Sequence, residues 1–228
     1  MGPYGKAVAP WYFAMTNAMR AALMLLSGWK VEGKEAVPPG GPLIIVSNHL
    51  SHIDPPMLAA SIPRTISFLA KQELFAHPLW GRAIKWYGAL PVYRDQGGSN
   101  KDNFDRILEI LGRDGVIGVF PEGTRSRTGG MQRAKAGVAL LALRANAAIL
   151  PVGIDGSDQV HGWRFVFKRP RISVKIGQPF TLPVLDGQLG RAQLVSATYM
   201  IMGRIAALLP PERRGVYAME KRERAAVH

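Results

Sequence analysis

Short, continuous apolar runs, separated by stretches long enough to hold a helix, constrain this chain more than any other feature. Leu43, Ile44, Ile45 and Val46 follow one another without polar alternation, as do Val116, Ile117, Gly118 and Val119. Such runs mark strands buried on both faces. Further strands are expected at residues 65–70, 89–93, 148–154 and 171–176, and helices at residues 51–61, 78–87, 100–113, 132–146 and 188–209. The clearest helix is 100–113. There Phe104, Ile107, Leu108 and Leu111 recur at helical spacing, with Asn100 as a start signal and Gly115 as a stop. Strands alternating with helices of this length predict an α/β sandwich: a mostly parallel mixed sheet flanked by helices. Ligands in such folds sit beyond the carboxyl ends of the strands.

Ahead of this pattern lies an apolar stretch, residues 8–26, with Trp11 and Trp29 at its ends. Thr16, Asn17 and Arg20 interrupt it. A spanning helix needs roughly 20 apolar residues, and a central arginine costs on the order of 3 kcal/mol in a bilayer by insertion scales. The stretch therefore predicts an amphipathic helix lying in the head-group region. The competing reading packs the same helix on the protein's own core. Net charge is +13, from 29 Lys+Arg against 16 Asp+Glu, which attracts polyanions: nucleic acid, anionic head groups or phosphorylated substrates. With no cysteine, disulfides, thiol nucleophiles and thiolate metal sites are all excluded.

Two stretches carry chemistry, and each directly follows a buried run. The first is Asn48-His49-Leu50-Ser51-His52-Ile53-Asp54-Pro55. A histidine is suited to take a proton near neutral pH, and a carboxylate can hold its other ring nitrogen. His49 and Asp54 fit those roles. Asp54 could also cap the helix that Pro55 begins. His52 is a competitor, but His49, His52 and Asp54 lack the spacing and fourth ligand of a metal site. Ser51 lacks the glycine-flanked elbow of a nucleophile.

The second stretch is Phe120-Pro121-Glu122-Gly123-Thr124-Arg125-Ser126. Gly123 lets the backbone approach an anion closely. Arg125 can clamp a phosphate with two parallel hydrogen bonds. Glu122 can hold a substrate hydroxyl or orient Arg125, while Arg127, Arg133 and Lys135 extend the positive field.

In this order the two stretches resemble the glycerolipid acyltransferases, the lysophosphatidate acyltransferase family, over roughly residues 31–183. Gly88-Ala89-Leu90-Pro91-Val92-Tyr93-Arg94 and Ile149-Leu150-Pro151-Val152-Gly153 match that family's more permissive second and fourth blocks. The resemblance implies His49 and Asp54 as catalytic residues. It implies acceptor phosphate binding by Arg94, Glu122, Gly123, Thr124 and Arg125, with Lys71 and Lys135 as accessory cations.

It further implies transfer of a fatty acyl group from acyl-CoA or acyl-carrier protein to the sn-2 hydroxyl of 1-acylglycerol 3-phosphate, giving phosphatidate. The acyl donor is a co-substrate, and no metal or bound cofactor is expected. Glycerol 3-phosphate, a lyso-ornithine lipid or a glycolipid are alternative acceptors; a non-catalytic binder of anionic lipid is an alternative of another class. The partners expected are membrane lipids, the acyl donor and the lysophospholipid, and not nucleic acid. Three segments follow: a membrane-associated helix at 1–28, an acyltransferase domain at 29–211 and a charged tail at 212–228. The expected location is the cytoplasmic face of the plasma membrane, as a peripheral or monotopic protein. Residues 160–170 have no assigned role.

Overall fold

A computed structural model describes residues 9–77, 80–92, 99–160, 165–183 and 190–218. The elements run α1 (Ala9–Leu26), β1 (Lys30–Glu32), β2 (Leu43–Ser47), α2 (Asp54–Ser61), β3 (Ile66–Lys71), α3 (Gln72–Phe75) and α4 (Trp80–Trp86). They continue with β4 (Leu90–Val92), α5 (Ser99–Leu111), β5 (Val116–Val119), α6 (Gly137–Ala145), β6 (Ala148–Asp155), α7 (Phe165–Lys168), β7 (Ser173–Ile176) and α8 (Arg191–Leu208). The seven strands form one sheet in the order β1-β7-β6-β2-β5-β3-β4. Every pairing is parallel except β6 with β7.

The continuous apolar runs have a direct structural cause. Within β2, Ile44 and Val46 enter a core shared with α5, α6 and α8, while Leu43 and Ile45 enter one shared with α1 and α2. Both faces of the strand are buried, so no position along it can be polar without cost. Gly118 in β5 makes room for the Phe68 ring of β3, since a Cβ at this position would collide with that ring.

Several expectations shift. The helix expected from Gln132 begins only at Gly137, because residues 132–136 form loop. Asp54 does not cap α2 from outside; it is the first residue of the helix, and its carboxylate turns back to the preceding loop. The tail expected from Glu212 starts inside a segment that the domain holds: residues 211–213 and 215–217 form 3₁₀ turns and Tyr217 is buried. Residues 219–228 lie outside the described residues. In the unassigned 160–170 region, residues 165–168 form the single helical turn α7.

The N-terminal helix packs on the domain, as the second reading expected, and leaves an apolar face exposed. A mixed face of it turns inward. Tyr12, Thr16, Leu23 and Ser27 are buried, the Ile66 N–H donates to the Tyr12 hydroxyl at 3.0 Å, and the Arg20 guanidinium donates to Ala60 O at 3.3 and 3.1 Å. Ala60 lies in the last turn of α2, where carbonyls lack helical partners, so a cation is favoured there. The opposite face carries Trp11, Phe13, Met24 and Leu25, each more than half exposed. Among the described residues no helix is long and apolar enough to cross a membrane.

Gly118→Ala should destabilise the protein by roughly 1–3 kcal/mol, because the added methyl overpacks the Phe68 contact. Gly40→Ala, where nothing lies within 4 Å, is the control. Thermal unfolding of the two variants, with a lower Tm in the first alone, checks this.

Candidate active site

β2 and β5 are parallel neighbours, with Val46 opposite Val119. Their following loops therefore leave the sheet side by side, which brings together two motifs about seventy residues apart in the chain. Asn48 joins the first loop to β6. Its side chain donates to Ile154 O and accepts from Ile154 N, both at 2.8 Å, so a buried amide extends the ladder by one step.

His49 comes next. Its Nδ1 lies 2.8 Å from Asp54 Oδ2. The same oxygen accepts the backbone N–H groups of Leu50 at 2.7 Å and Ser51 at 2.8 Å. With two donors already on that oxygen, the network assigns the proton of the third contact to Nδ1. Nε2 is then the nitrogen with a lone pair. Asp54 is fully buried, and its Oδ1 has no hydrogen-bond partner among the described residues. The His49 ring stacks on Phe120 at 4.1 Å between centroids and 22° between planes, and Phe120 stacks in turn on Phe68. The Phe120 contact is not deducible from motif spacing, since it depends on which strands are neighbours.

Glu122 ties the two loops together. One carboxylate oxygen accepts the His49 N–H at 3.2 Å and the other accepts the Gln132 N–H at 2.9 Å. Ser126 N–H donates to His49 O at 2.7 Å, completing the tie. Glu122 thus holds backbone on both sides of the site, a role different from gripping a hydroxyl or Arg125. Burial pushes its carboxyl up to about 7, opposed by the Gln132 and His49 N–H groups and reinforced by the Asp54 charge.

Gly123 adopts φ 69, open to glycine at little cost, and the Lys135 side chain lies against it. Thr124 and Arg125 are exposed, and Arg125 makes no ion pair among the described residues. His52 is close by: partial desolvation, with Arg125 and His49 near, pulls its imidazole below the usual value. The site therefore brings together His49, Asp54, Glu122, Gly123, Thr124, Arg125 and Lys135. Arg94 lies outside the described residues. Lys71 ends β3, and its side chain also lies outside what is described. Among the described residues, no group of three His, Cys, Asp or Glu side chains is arranged to hold a metal ion.

Residues 28–155, more than half of the chain, match the family model described as acyltransferase. This protein belongs to the acyltransferase family. The chain is 31% identical over 131 residues to the chloroplastic 1-acyl-sn-glycerol-3-phosphate acyltransferase LPAT1 of Arabidopsis thaliana, a stretch covering 57% of this chain and 36% of that protein. Against the 1-acyl-sn-glycerol-3-phosphate acyltransferase of Bacillus subtilis it is 29% identical over 198 residues, covering 86% of this chain and 96% of the other. The crystal structure of the 1-acyl-sn-glycerophosphate acyltransferase of Thermotoga maritima superposes with a TM-score of 0.65 at 24% identity, covering 88% of this chain and 81% of that one. That likeness is one of fold. The acyltransferase described here thus carries both motifs on the sheet architecture its sequence predicted.

Glu122 generates a pH prediction. A carboxyl whose folded pKa is raised binds a proton that the unfolded chain has released, so stability falls as pH rises from about 4.5 to about 7 and is level above. Glu122→Gln removes that loss, worth on the order of 3 kcal/mol at the upper end. The Tm of the variant minus that of the wild type should grow from pH 5 to pH 7.5. A difference independent of pH would show that Glu122 is not held in a desolvated site.

Proposed function

We propose that this acyltransferase moves a fatty acyl group from acyl-CoA or acyl-carrier protein to the sn-2 hydroxyl of 1-acylglycerol 3-phosphate, giving phosphatidate. The observation that carries this reading is the His49–Asp54 contact of 2.8 Å, set beside an exposed arginine without a carboxylate partner among the described residues. Asp54 fixes the ring with Nδ1 protonated, and His49 Nε2 takes the proton of the acceptor hydroxyl as the oxygen attacks the thioester carbonyl. The tetrahedral intermediate collapses with cleavage of the C–S bond, and the His49 imidazolium returns the proton to the leaving thiolate. The amides of Leu50 and Ser51 are occupied by Asp54, and that of Gly123 by Phe120 O. The amides of Thr124 and Arg125, on the same loop, are proposed as the oxyanion donors. Arg125, with Lys135 behind Gly123, grips the acceptor phosphate. The chain supplies the base and the grip without a covalent intermediate, since Ser51 is not placed on a nucleophile elbow and there is no cysteine.

The exposed apolar face of α1 supplies the second half of this reading. Beside it lies α7, which ends on exposed Lys168 and is followed by exposed Arg169 and Arg171. An apolar face rimmed by cations suits an anionic bilayer surface, and such attachment brings the acceptor's lipid chain to the site. The cytoplasmic face of the membrane is the side on which acyl-CoA and acyl-carrier protein would be met.

Thiol release from acyl-CoA, with 1-acylglycerol 3-phosphate and then with glycerol 3-phosphate, a lyso-ornithine lipid and a glycolipid, tests the acceptor. His49→Ala should lower kcat by roughly 10²–10⁴-fold while the protein still folds, with a lower Tm from the lost Phe120 stack and Asp54 contact. Asp54→Asn should cost less, and His52→Ala should be close to silent; a His52→Ala loss equal to that of His49→Ala would reverse their roles. Arg125→Lys keeps charge but loses the planar fork. It should raise KM for the phosphorylated acceptor far more than for the donor.

Phe13→Asp with Leu25→Asp should weaken co-sedimentation with phosphatidylglycerol-containing vesicles by roughly tenfold or more, with folding intact. Substitution is a cleaner probe than deleting α1, which would also remove the Tyr12 and Arg20 contacts. High salt should weaken binding without abolishing it. Full release of the wild type by salt alone would exclude insertion of the helix.

A further inference from the structure

The segment after α8 returns across the far side of the loop that bears Arg125. Met131 N–H donates to Arg213 O at 2.9 Å, and Val216 N–H donates back to Met131 O at 3.1 Å. Ala134 N–H donates to the Tyr217 hydroxyl at 3.1 Å. The Arg213 guanidinium fills its fork from three directions. Nε reaches Asp155 at 2.7 Å, Nη1 and Nη2 reach the two oxygens of Asp158 at 2.9 and 3.0 Å, and Nη1 also meets Gly129 O at 3.3 Å. Asp155 ends β6, so the arginine anchors the loop to the rim of the sheet. Gly215, at φ 51, lies so close to the Met131 backbone that any Cβ would collide with it.

Between the two clasped residues, Gln132 makes its bonds in another direction. Its N–H donates to Glu122 and its side-chain amide to Arg125 O at 3.1 Å. Met131 and Ala134 are held from outside by the C-terminal segment, and Gln132 from inside by the site. From this geometry we infer that Arg213 and Tyr217 are positioning residues of the active site: they set the Glu122–Arg125 loop through Gln132. Both residues lie outside the region matched by the family model. The segment that charge alone marked as a tail thus completes the acceptor grip, an inference that rests on the phosphate role proposed for Arg125.

Tyr217→Phe removes one hydrogen bond and keeps the ring, which packs edge-on against Tyr199 of α8. Arg213→Lys keeps the charge and loses the fork. Full-length variants in detergent should show KM for 1-acylglycerol 3-phosphate raised about five- to tenfold, the loss expected for one or two hydrogen bonds. Donor KM and kcat at saturation should hold, and the Gln132 amide should exchange hydrogen faster. A strap that only adds stability would lower Tm and leave the acceptor KM and Gln132 exchange untouched; that result overturns the inference. If Gln132 exchange quickens without a change in acceptor KM, Arg125→Lys decides. Where Arg125→Lys raises that KM, the positioning role is overturned. Where it does not, the phosphate role of Arg125 fails and the clasp on Gln132 stands.

Discussion

Because β2 and β5 run parallel and in register from Leu43 with Val116 to Val46 with Val119, the chain leaves the sheet twice at one place. Parallel strands require a crossover, and the crossover here takes the chain through α2, β3, α3, α4, β4 and α5. The described elements between the two motifs form the scaffold of that return. The bond between Ser126 N and His49 O, the Glu122 contact with His49 N and the stack of His49 on Phe120 all follow from the adjacency. A register slip of one residue would exchange the side chains that β2 sends into its two cores and set the two loops out of step.

Around this junction the interior holds buried polar groups that a stability argument alone would not favour. Asn48, Asp54 and Glu122 are each more than nine-tenths buried. Asn48 makes both its bonds to the Ile154 backbone, Glu122 is tied to backbone on two sides, and Asp54 accepts three bonds on one oxygen. A buried carboxylate is tolerated when donors surround it and costly otherwise. Asp54 Oδ1, without a partner among the described residues, marks where the network is incomplete. Glu122, raised to about 7, marks where desolvation outweighs the hydrogen bonds it receives. Such groups fix loop geometry more than they add stability, consistent with a proposed base that needs one ring orientation.

The N-terminal helix shows how one amphipathic pattern can be used in reverse. Tyr12, Leu23 and Arg20 bind the domain, with Arg20 completing the end of α2, while Trp11, Phe13, Met24 and Leu25 are left outside. Hydrophobic periodicity identifies the two faces and not their partners. A helix that packs with a mixed face inward and leaves large apolar side chains outside presents a surface for which lipid is a fitting counterpart, in keeping with the fatty chains of the proposed substrates.

The sequence by itself determined the sheet class and the residues of the proposed chemistry. Apolar runs of four residues rich in Ile and Val, bounded by turn residues, favour strands covered on both faces over helices, and His49, Asp54 and Arg125 belong to motifs whose residue types fit few other roles. Local pattern also located α5 and β6 closely, since both have strong periodicity or continuous burial. Tertiary structure decided what depends on distant neighbours. It turned Asp54 toward the preceding loop, gave Glu122 two backbone partners, replaced the start of an Ala-rich helix at 132–136 with loop, and drew Arg213 and Tyr217 to the site. Each of these outcomes rests on a partner between ten and more than eighty residues away, or on the short backbone reversal at His49, and neither propensity nor spacing encodes which strands will lie side by side.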